Sequence, residues 1–386
     1  MRSEEYSSLV PYDSDYRGSW IQYAVSAEEY ASRLARVRSE MLAAGLDALL
    51  IVGHHGDPAN IRYLTNYTPH FGTTLLLLPL SDDPVVITDA ILHGEPMHSM
   101  LWNVLFDDLR PASSMPDHPP GTLTELTADA VLDRNLATAK IGIASTRTLS
   151  MQIADELRSV LPGVTWSEAG QLMLAVRSIK SATEIDFMRR ACAMSALGRQ
   201  AALNAIWHDV SEREGANAAH AAMFVAGAED LAFDTAVSSG PRAGLKHAAP
   251  TDRKLASGDL VFLDMGAQVS GYRADISRCA GVGQLDADRQ ELLDAARTMF
   301  EATLAAAQPG APVRDLYRAA ERSARRSGFI ADYMPNGLGH GVGLGLFELP
   351  FLGPHDTSNL EPGMIFALEP MLVRYGVGTA VVEETV

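Results

Sequence analysis

Five side chains in the last third of the 386-residue chain have the types and order of a metal site: Asp264, Asp275, His340, Glu369 and Glu383. Four carboxylates and one imidazole form a hard, oxygen-rich set that suits a pair of divalent first-row ions. Two such ions about 3.5–4 Å apart can share a water, lower its pKa and hold the oxygens of a hydrolytic transition state. The set therefore predicts metal-dependent hydrolysis.

Short apolar, β-prone runs come directly before the first and the last of these residues. Residues 261–263 (Val-Phe-Leu) precede Asp264, and residues 381–382 (Val-Val) precede Glu383, so both carboxylates are expected in or at the ends of strands. A carboxylate on a buried strand is unfavourable unless it is paired or bound to a metal. A network of salt bridges is the alternative, but no dense group of Lys or Arg accompanies the set. Glu383 is followed by only three residues, and terminal residues tend to fray. Two expectations stay open: Glu383 is held less firmly than the others, or the chain is a shortened form.

The spacing of these motifs resembles that of the pita-bread metallohydrolase superfamily, which includes methionine aminopeptidase, aminopeptidase P, prolidase and creatinase. The shared order is Asp, a second Asp eleven residues later, Gly-His-Gly at 339–341, Glu-Pro at 369–370 and a final strand Glu. Residues 26–65 resemble the amino-terminal domain of creatinase and prolidase, and residues 177–189 resemble the helix that opens the catalytic domain. The resemblance implies an α/β N-terminal domain followed by an α+β pita-bread catalytic domain with pseudo-twofold symmetry.

Hydrophobic periodicity divides the chain in the same way. Strand and helix patterns alternate to about Leu161, which is typical of a small α/β domain, and a long Ala-rich helix pattern covers residues 182–209. Ser211 and Glu214 predict a capping box at the next helix. The predicted segments are 1–161 for the N-terminal domain with an extension at 1–25, 162–181 for a linker and the start of the connecting helix, and 182–386 for the catalytic domain.

The resemblance also implies a role for each ligand. Asp264 matches a bidentate ligand of one metal, Asp275 and Glu383 match carboxylates that bridge both metals, and His340 matches the imidazole ligand of the other metal. Glu369 matches a residue that binds one metal and exchanges a proton with the bridging water, which makes it the expected general base. The implied cofactors are two divalent ions, with Mn, Co, Fe and Zn all compatible with a carboxylate-rich site.

His247 matches a histidine that lines the substrate pocket of the superfamily. In methionine aminopeptidase and the proline peptidases this residue contacts the scissile amide, and in creatinase it handles the proton. We therefore expect His247 to be catalytic, although a single His in a Gly-rich loop is more often a surface residue.

Three substrate-side positions depart from the pattern of the proline peptidases. Asn336 and Phe347 stand where those enzymes usually have histidines, and Val381 stands where they usually have arginine. These substitutions predict a less cationic, more apolar substrate pocket in which His247 is the remaining imidazole. They also predict a weak hold on the terminal carboxylate of a dipeptide, so that Xaa-Pro dipeptides are cleaved poorly and a small amide or amidine with an apolar part near Phe347 is preferred.

Three functions remain open on the sequence. The first is a dinuclear metal-dependent hydrolase that cleaves an amide bond in a small molecule or short peptide, similar to Xaa-Pro dipeptidases and aminopeptidases. The second is a non-peptidase relative, either an amidine- or ectoine-type hydrolase or a metal-dependent lyase such as dimethylsulfoniopropionate lyase. The third is a catalytically silent binding protein, which the intact ligand set disfavours because converging carboxylates are unfavourable without a cation.

Composition excludes several other classes of protein. A net charge of −17 makes binding to nucleic acid or to an anionic membrane surface unexpected, since both need basic surface. Two cysteines are too few for a disulfide framework or a thiolate metal site. The sequence shows no secretory signal pattern, so we expect a cytoplasmic enzyme that acts on a small-molecule or short-peptide substrate, without nucleic-acid or membrane partners. The family resemblance implies a homodimer.

Overall fold

The computed structural model describes residues 24–70, 72–90, 104–113, 121–145 and 148–386. The chain divides into two compact units, with the division between Val176 and Arg177. Nearly all of the predicted extension at 1–25 lies outside the described residues. Within the described ranges, no helix combines the length and the apolar character that a membrane span requires.

The first unit is built on one six-stranded sheet. Its strands lie in the order β4-β3-β2-β1-β5-β6, with β1 antiparallel to β2 and parallel to β5. The strand β1 is buried over nearly its whole length, as expected for a strand covered on both faces. In chain order the elements are α1 (Ala27–Ala43), β1 (Ala48–His54), α2 (Ala59–Thr65), β2 (Thr73–Pro79), β3 (Val85–Ala90), β4 (Leu109–Ser113), α3 (Leu123–Asp133), β5 (Lys140–Ala144), α4 (Met151–Val160) and β6 (Thr165–Glu168).

The first unit extends beyond its predicted end at residue 161. Thr165–Glu168 form the sixth strand, which pairs in parallel with β5, and Gly170–Ser178 form the helix α5. The predicted linker at 162–181 is therefore mostly regular structure. The strand escaped detection because Thr-Trp-Ser-Glu is polar and at most half-buried, so it lacks the apolar pattern by which strands are recognised.

The second unit combines four long helices with several short sheets. Two helix pairs, α6 with α7 and α8 with α9, pack against each other within each pair, and each pair precedes a set of antiparallel strands. The elements are α6 (Ala182–Ala205), α7 (Glu212–Val225), β7 (Asp230–Leu231), β8 (Ala236–Ser239), β9 (Leu260–Met265), β10 (Ala267–Val269), β11 (Tyr272–Arg273), β12 (Ile276–Gly281), α8 (Ala287–Ala306), α9 (Val313–Arg326), β13 (Gly339–Gly341), β14 (Glu348–Phe351), β15 (Phe366–Leu368), β16 (Met371–Arg374), β17 (Gly378–Val381) and β18 (Glu384–Thr385).

Local sequence signals explain where helix α7 begins and which of its faces is buried. The predicted capping box at the start of α7 is present: Ser211 accepts from the Glu214 backbone N–H, and the Glu214 side chain accepts from the Ser211 N–H at 2.7 Å. Ala216, Ala219 and Met223 recur at helical spacing and are buried against α6 and β9. The opposite face of α7 is left for polar residues.

The sheets of the second unit bring distant parts of its sequence together. One sheet has the order β12-β9-β8, and another has the order β14-β13-β15-β18. Both contain strands that carry or flank the predicted ligands, since β9 contains Asp264 and β13 contains His340.

Candidate metal centre

Asp264 and Asp275 are placed by one antiparallel pair of strands. Asp264 lies near the end of β9, opposite Ser277 of β12, and Asp275 comes directly before β12. The chain leaves β9 through Gly266, where a Cβ would lie only 1.9 Å from the carbonyl oxygen of Ala274. The close backbone approach that only glycine permits here therefore brings the two aspartates side by side.

His340 and Glu369 are placed by a second pair of strands. His340 in β13 lies opposite Ala367 of β15, and Glu369 follows β15, with its backbone N–H donating to the Leu338 carbonyl at 2.9 Å. Gly339 has a φ of +141°, and a Cβ at this position would lie 2.0 Å from the Ala367 carbonyl oxygen. The glycine before His340 is thus required by the close strand pairing that orients the imidazole.

Glu383 is held as firmly as the other ligands, which differs from the expectation of a frayed terminus. Its side chain is buried, its N–H donates to the Ser277 carbonyl at 3.2 Å, and its own carbonyl accepts from Arg278 at 2.8 Å. Thr385 Oγ1 accepts from the Asp275 N–H at 2.9 Å and donates to the Asp275 carbonyl at 2.8 Å. These bonds tie the last strand to the segment that carries the first two ligands.

The five predicted ligands converge at one point of the second unit. One carboxylate oxygen each of Asp264, Asp275 and Glu383 lie within 4.8 Å of one another. His340 Nε2 lies 3.6 Å from Asp275 Oδ2 and 3.9 Å from Glu369 Oε1. Four carboxylates and an imidazole therefore surround one small volume.

Burial shifts the pKa of each acidic group upward, and repulsion by neighbouring carboxylates adds to the shift at Asp264, Asp275 and Glu383. Burial, followed by the charge of Glu369, raises the pKa of Asp264 to about 8, and burial raises the pKa of Glu369 to about 7. The pKa values of Asp275 and Glu383 are also raised, first by burial and then by the neighbouring carboxylates. Burial lowers the pKa of His340, which favours the neutral imidazole that a metal requires.

The donor set fits divalent cations. Asp264 Oδ1 is buried and accepts no hydrogen bond from the described residues. Within the described part of the chain, no Lys or Arg forms an ion pair with any of the four carboxylates, which removes the alternative of a salt-bridge network. Uncompensated buried carboxylates are strongly unfavourable. Oxygen-preferring divalent ions would supply the missing charge.

A cavity of about 1110 Å³ opens onto the cluster. His247, Asn336 and Phe347 all line it together with the acidic ligands. The Phe347 side chain is 59% exposed, and its ring centroid lies 4.4 Å from that of His340. Burial and then the neighbouring Lys246 lower the pKa of His247, so its imidazole is neutral at pH 7.

Val381 does not reach the cavity, although the sequence predicts it as a pocket residue. It pairs with Met371 across β16 and β17, and its 2% exposed side chain packs in an apolar cluster with Phe262 and Val373. It is absent from the described residues that line the cavity. The strand β17 ends at Val381, so the regular alternation of side chains between the two faces of the sheet stops there. The Val381 side chain therefore does not share the face on which Glu383 reaches the cluster.

Several cavity residues were missed by the sequence analysis, among them the basic side chains of His220, Lys246 and His355. His247, the one pocket histidine of the family pattern that this chain retains, therefore shares the lining of the cavity with two other imidazoles. Arg213 and His220 are two turns apart on α7, so the capping box at Ser211 could have placed them on one face. Lys246 directly precedes His247, but His355 lies in a coil segment with no periodic signal.

Comparisons with known proteins agree with this geometry. A family model described as metallopeptidase family M24 matches residues 186–386, and one described as the creatinase/prolidase N-terminal domain matches residues 33–179. The chain is 30% identical to an Xaa-Pro dipeptidase of Pyrococcus furiosus over 62% of this chain and 68% of that protein.

Solved structures show the same architecture. An X-Pro aminopeptidase from Thermotoga maritima superposes with a TM-score of 0.80 at 24% identity, covering 91% of this chain and 93% of the other. The dipeptidase PepE from Mycobacterium ulcerans superposes with a TM-score of 0.77 at 25% identity, covering 94% and 93%. The predicted architecture, a creatinase-type α/β domain followed by a pita-bread catalytic domain, is confirmed.

Proposed function

Because the chain belongs to metallopeptidase family M24, and is therefore a metal-dependent hydrolase, we propose that it uses two divalent ions to cleave an amide bond in a small molecule or short peptide. The observation that carries this proposal is the convergence of four buried carboxylates and a neutral imidazole at the end of a large cavity.

Each ligand has a proposed role that follows from its position in the cluster. Two bound divalent ions would lower the pKa of a shared water and polarise the scissile carbonyl. Asp275 and Glu383, the more buried two of the four cluster carboxylates, are the proposed bridging ligands, and Asp264 and His340 are the proposed ligands of the individual ions. Their strand pairing holds the oxygens in place before substrate arrives, which limits the reorganisation needed during reaction.

Glu369 is the proposed general base. Glu369 lies just after β15, and burial raises its pKa to about 7 in the metal-free site. The role rests on the family resemblance, in which the matching residue binds one metal and exchanges a proton with the bridging water. His247, with a neutral imidazole in the cavity wall, is proposed to donate a hydrogen bond to the substrate amide. The exposed ring of Phe347 provides an apolar wall beside His340.

Several finer features are proposed on the family resemblance and the donor chemistry. Mn, Co, Fe and Zn all suit the ligand set, and we propose manganese as the working ion. We also propose that the protein is cytoplasmic and forms a homodimer. The proposed catalytic domain comprises residues 182–386.

A second candidate function has the same metal centre but a different substrate. The dipeptidase of Pyrococcus furiosus is named for Xaa-Pro substrates, and a short peptide is the leading proposal for this chain as well. Asn336 and Phe347 line the cavity where proline peptidases usually have histidines, which favours an altered substrate. A non-peptidase hydrolase acting on another C–N bond is therefore the second candidate.

A hydrolysis screen with metal-reconstituted protein tests both candidates. Protein stripped with a chelator is reloaded with Mn, Co, Fe or Zn and assayed on Xaa-Pro dipeptides, acylated amines, cyclic amidines and creatine. We expect turnover of at least one amide class only in the reloaded protein. Full activity in rigorously metal-free protein would exclude the proposed mechanism, and activity on cyclic amidines or creatine alone would select the second candidate.

A further inference from the structure

Lys246 occupies an unusual place in the cavity. Its side chain is half-buried and lines the same cavity as the metal cluster. Its Nζ lies 3.5 Å from the position that a Cβ on Gly337 would take, so the ammonium group lies over the backbone next to Asn336. His247, the proposed hydrogen-bond donor to the substrate amide, is its immediate neighbour in the chain.

The ammonium group of Lys246 acts on the metal cluster but is not paired with it. Its positive charge lowers the pKa values of Glu369 and Asp264 and opposes protonation of His340 and His247. Among the described residues, no carboxylate lies within ion-pair distance of Nζ and no acceptor takes a hydrogen bond from it. The other lysines of the second unit whose contacts are described are paired, Lys180 with Glu348 and Lys254 with Glu214.

Charge balance changes the role of this lysine when the metal site is filled. Four carboxylates carry a charge of −4 and two divalent ions carry +4, so the filled cluster is formally neutral. Lys246 then keeps a full positive charge at the wall of the cavity, with no carboxylate of the described residues within the 4.0 Å of an ion pair. A half-buried cation in this situation attracts an anion more strongly than one in bulk water does.

We propose that Lys246 is a specificity-determining residue, which holds a carboxylate of the substrate while the amide of the same molecule lies at the metal cluster. This inference rests on the proposed function and narrows it to amides that carry a negative charge. It also replaces the expectation of a weakly cationic pocket, because that expectation considered only Asn336, Phe347 and Val381. An ammonium group binds a carboxylate as a point charge without the bidentate geometry of arginine, so it tolerates carboxylates at varied angles.

Matched acid and amide probes test the proposal by binding rather than by turnover. Dissociation constants of N-acetyl-L-leucine and N-acetyl-L-leucinamide are measured calorimetrically on the manganese-loaded protein. The variants are Lys246→Met, which keeps the length of the side chain without its charge, and Lys246→Arg, which keeps the charge. Lys254→Met is the control, since Lys254 is an exposed lysine of the same unit that pairs with Glu214 and does not line the cavity.

We expect the wild-type protein to bind the acid about tenfold more tightly than the amide. Lys246→Met should remove this preference by weakening only the acid, and Lys246→Arg should restore most of it. Lys254→Met should leave both constants unchanged. Equal binding of the two probes by the wild-type protein, an absence of binding, or an equal loss for both probes in Lys246→Met would each overturn the proposal. Because the readout does not need turnover, a failed hydrolysis screen would count against the proposed function separately.

Discussion

Replacing Asp264 with asparagine should change the stability of the protein in opposite directions with and without metal. In metal-free protein, the carboxylate of Asp264 lies beside that of Asp275, and one of its oxygens is buried with no hydrogen-bond partner among the described residues. An asparagine is neutral and can donate to Asp275 through its amide, so Asp264→Asn removes a repulsion. In metal-loaded protein, the same change removes a charged ligand and weakens the binding of the ion.

The size of the effect follows from the pKa of Asp264. Folding of the metal-free protein raises this pKa from 3.8 to about 8, so the folded state must take up a proton that the unfolded chain does not hold at pH 7. At about 1.4 kcal/mol per pH unit, the penalty reaches about 4 kcal/mol at pH 7. This is an upper limit, because Asp275 shares the proton. The penalty is absent below the unfolded pKa and increases as the pH rises towards 8, so metal-free protein should lose stability over that range.

Urea unfolding of wild type and Asp264→Asn, each with chelator and with excess Mn²⁺, measures the change in the free energy of unfolding in both states. With chelator, we expect the variant to be the more stable protein by up to about 4 kcal/mol at pH 7 and by less than about 2 kcal/mol at pH 5. With Mn²⁺ at one hundred times its dissociation constant, the wild type should gain about 2.7 kcal/mol, and the variant should gain far less.

Asp259→Asn serves as the matched control. Asp259 lies just before β9, and its carboxylate accepts from Arg253 Nη1 at 2.6 Å, so its loss should destabilise the protein by about 1–3 kcal/mol with or without metal. The reasoning about Asp264 is refuted if Asp264→Asn is no more stable than the wild type in chelator at pH 7. It is also refuted if the difference between the two proteins does not grow with pH.

Three further outcomes are expected. Asp275→Ala and Glu383→Ala should each lose at least one metal ion per chain by elemental analysis, because each removes a buried ligand proposed to serve both ions; full occupancy would contradict the bridging roles. Glu369→Gln should lower kcat about 10²–10⁴-fold while circular dichroism stays unchanged, because the amide keeps an oxygen but cannot accept a proton, and near wild-type turnover would remove Glu369 as the base. His247→Ala should lower kcat/KM while metal content stays that of the wild type; a loss of metal instead would show that His247 acts through the cluster.

The metal cluster was predictable from the sequence because each ligand carries a local signal. Asp264 and Glu383 follow apolar, β-prone runs that favour strands, and the glycines beside His340 mark a close backbone approach. The fixed order of these signals then restricts the fold, because few folds bring such distant strands together. The convergence of the five side chains is a consequence of that fold rather than of any one motif.

The substrate side of the cavity was much less predictable. Lys246 and His355 lie in coil segments, where no periodicity indicates which way a side chain points. Val381 shows the converse error. It was predicted as a pocket residue because it stands where proline peptidases usually have arginine, whereas its side chain packs in an apolar cluster at the end of β17. The strand Thr165–Glu168 was missed because its residues are polar and the sheet, rather than its own pattern, determines its conformation.

The hydrogen bonds between Thr385 and Asp275 also bear on when the protein acquires its metal. They join segments 110 residues apart, so they close a long loop, and closing a long loop costs conformational entropy before its contacts form. Glu383 joins the other ligands only when this loop closes. Before that closure, the folding chain has an incomplete set of ligands. The complete ligand set therefore exists only in the folded second unit, and the ion that fills it depends on the divalent metals that the folded site meets.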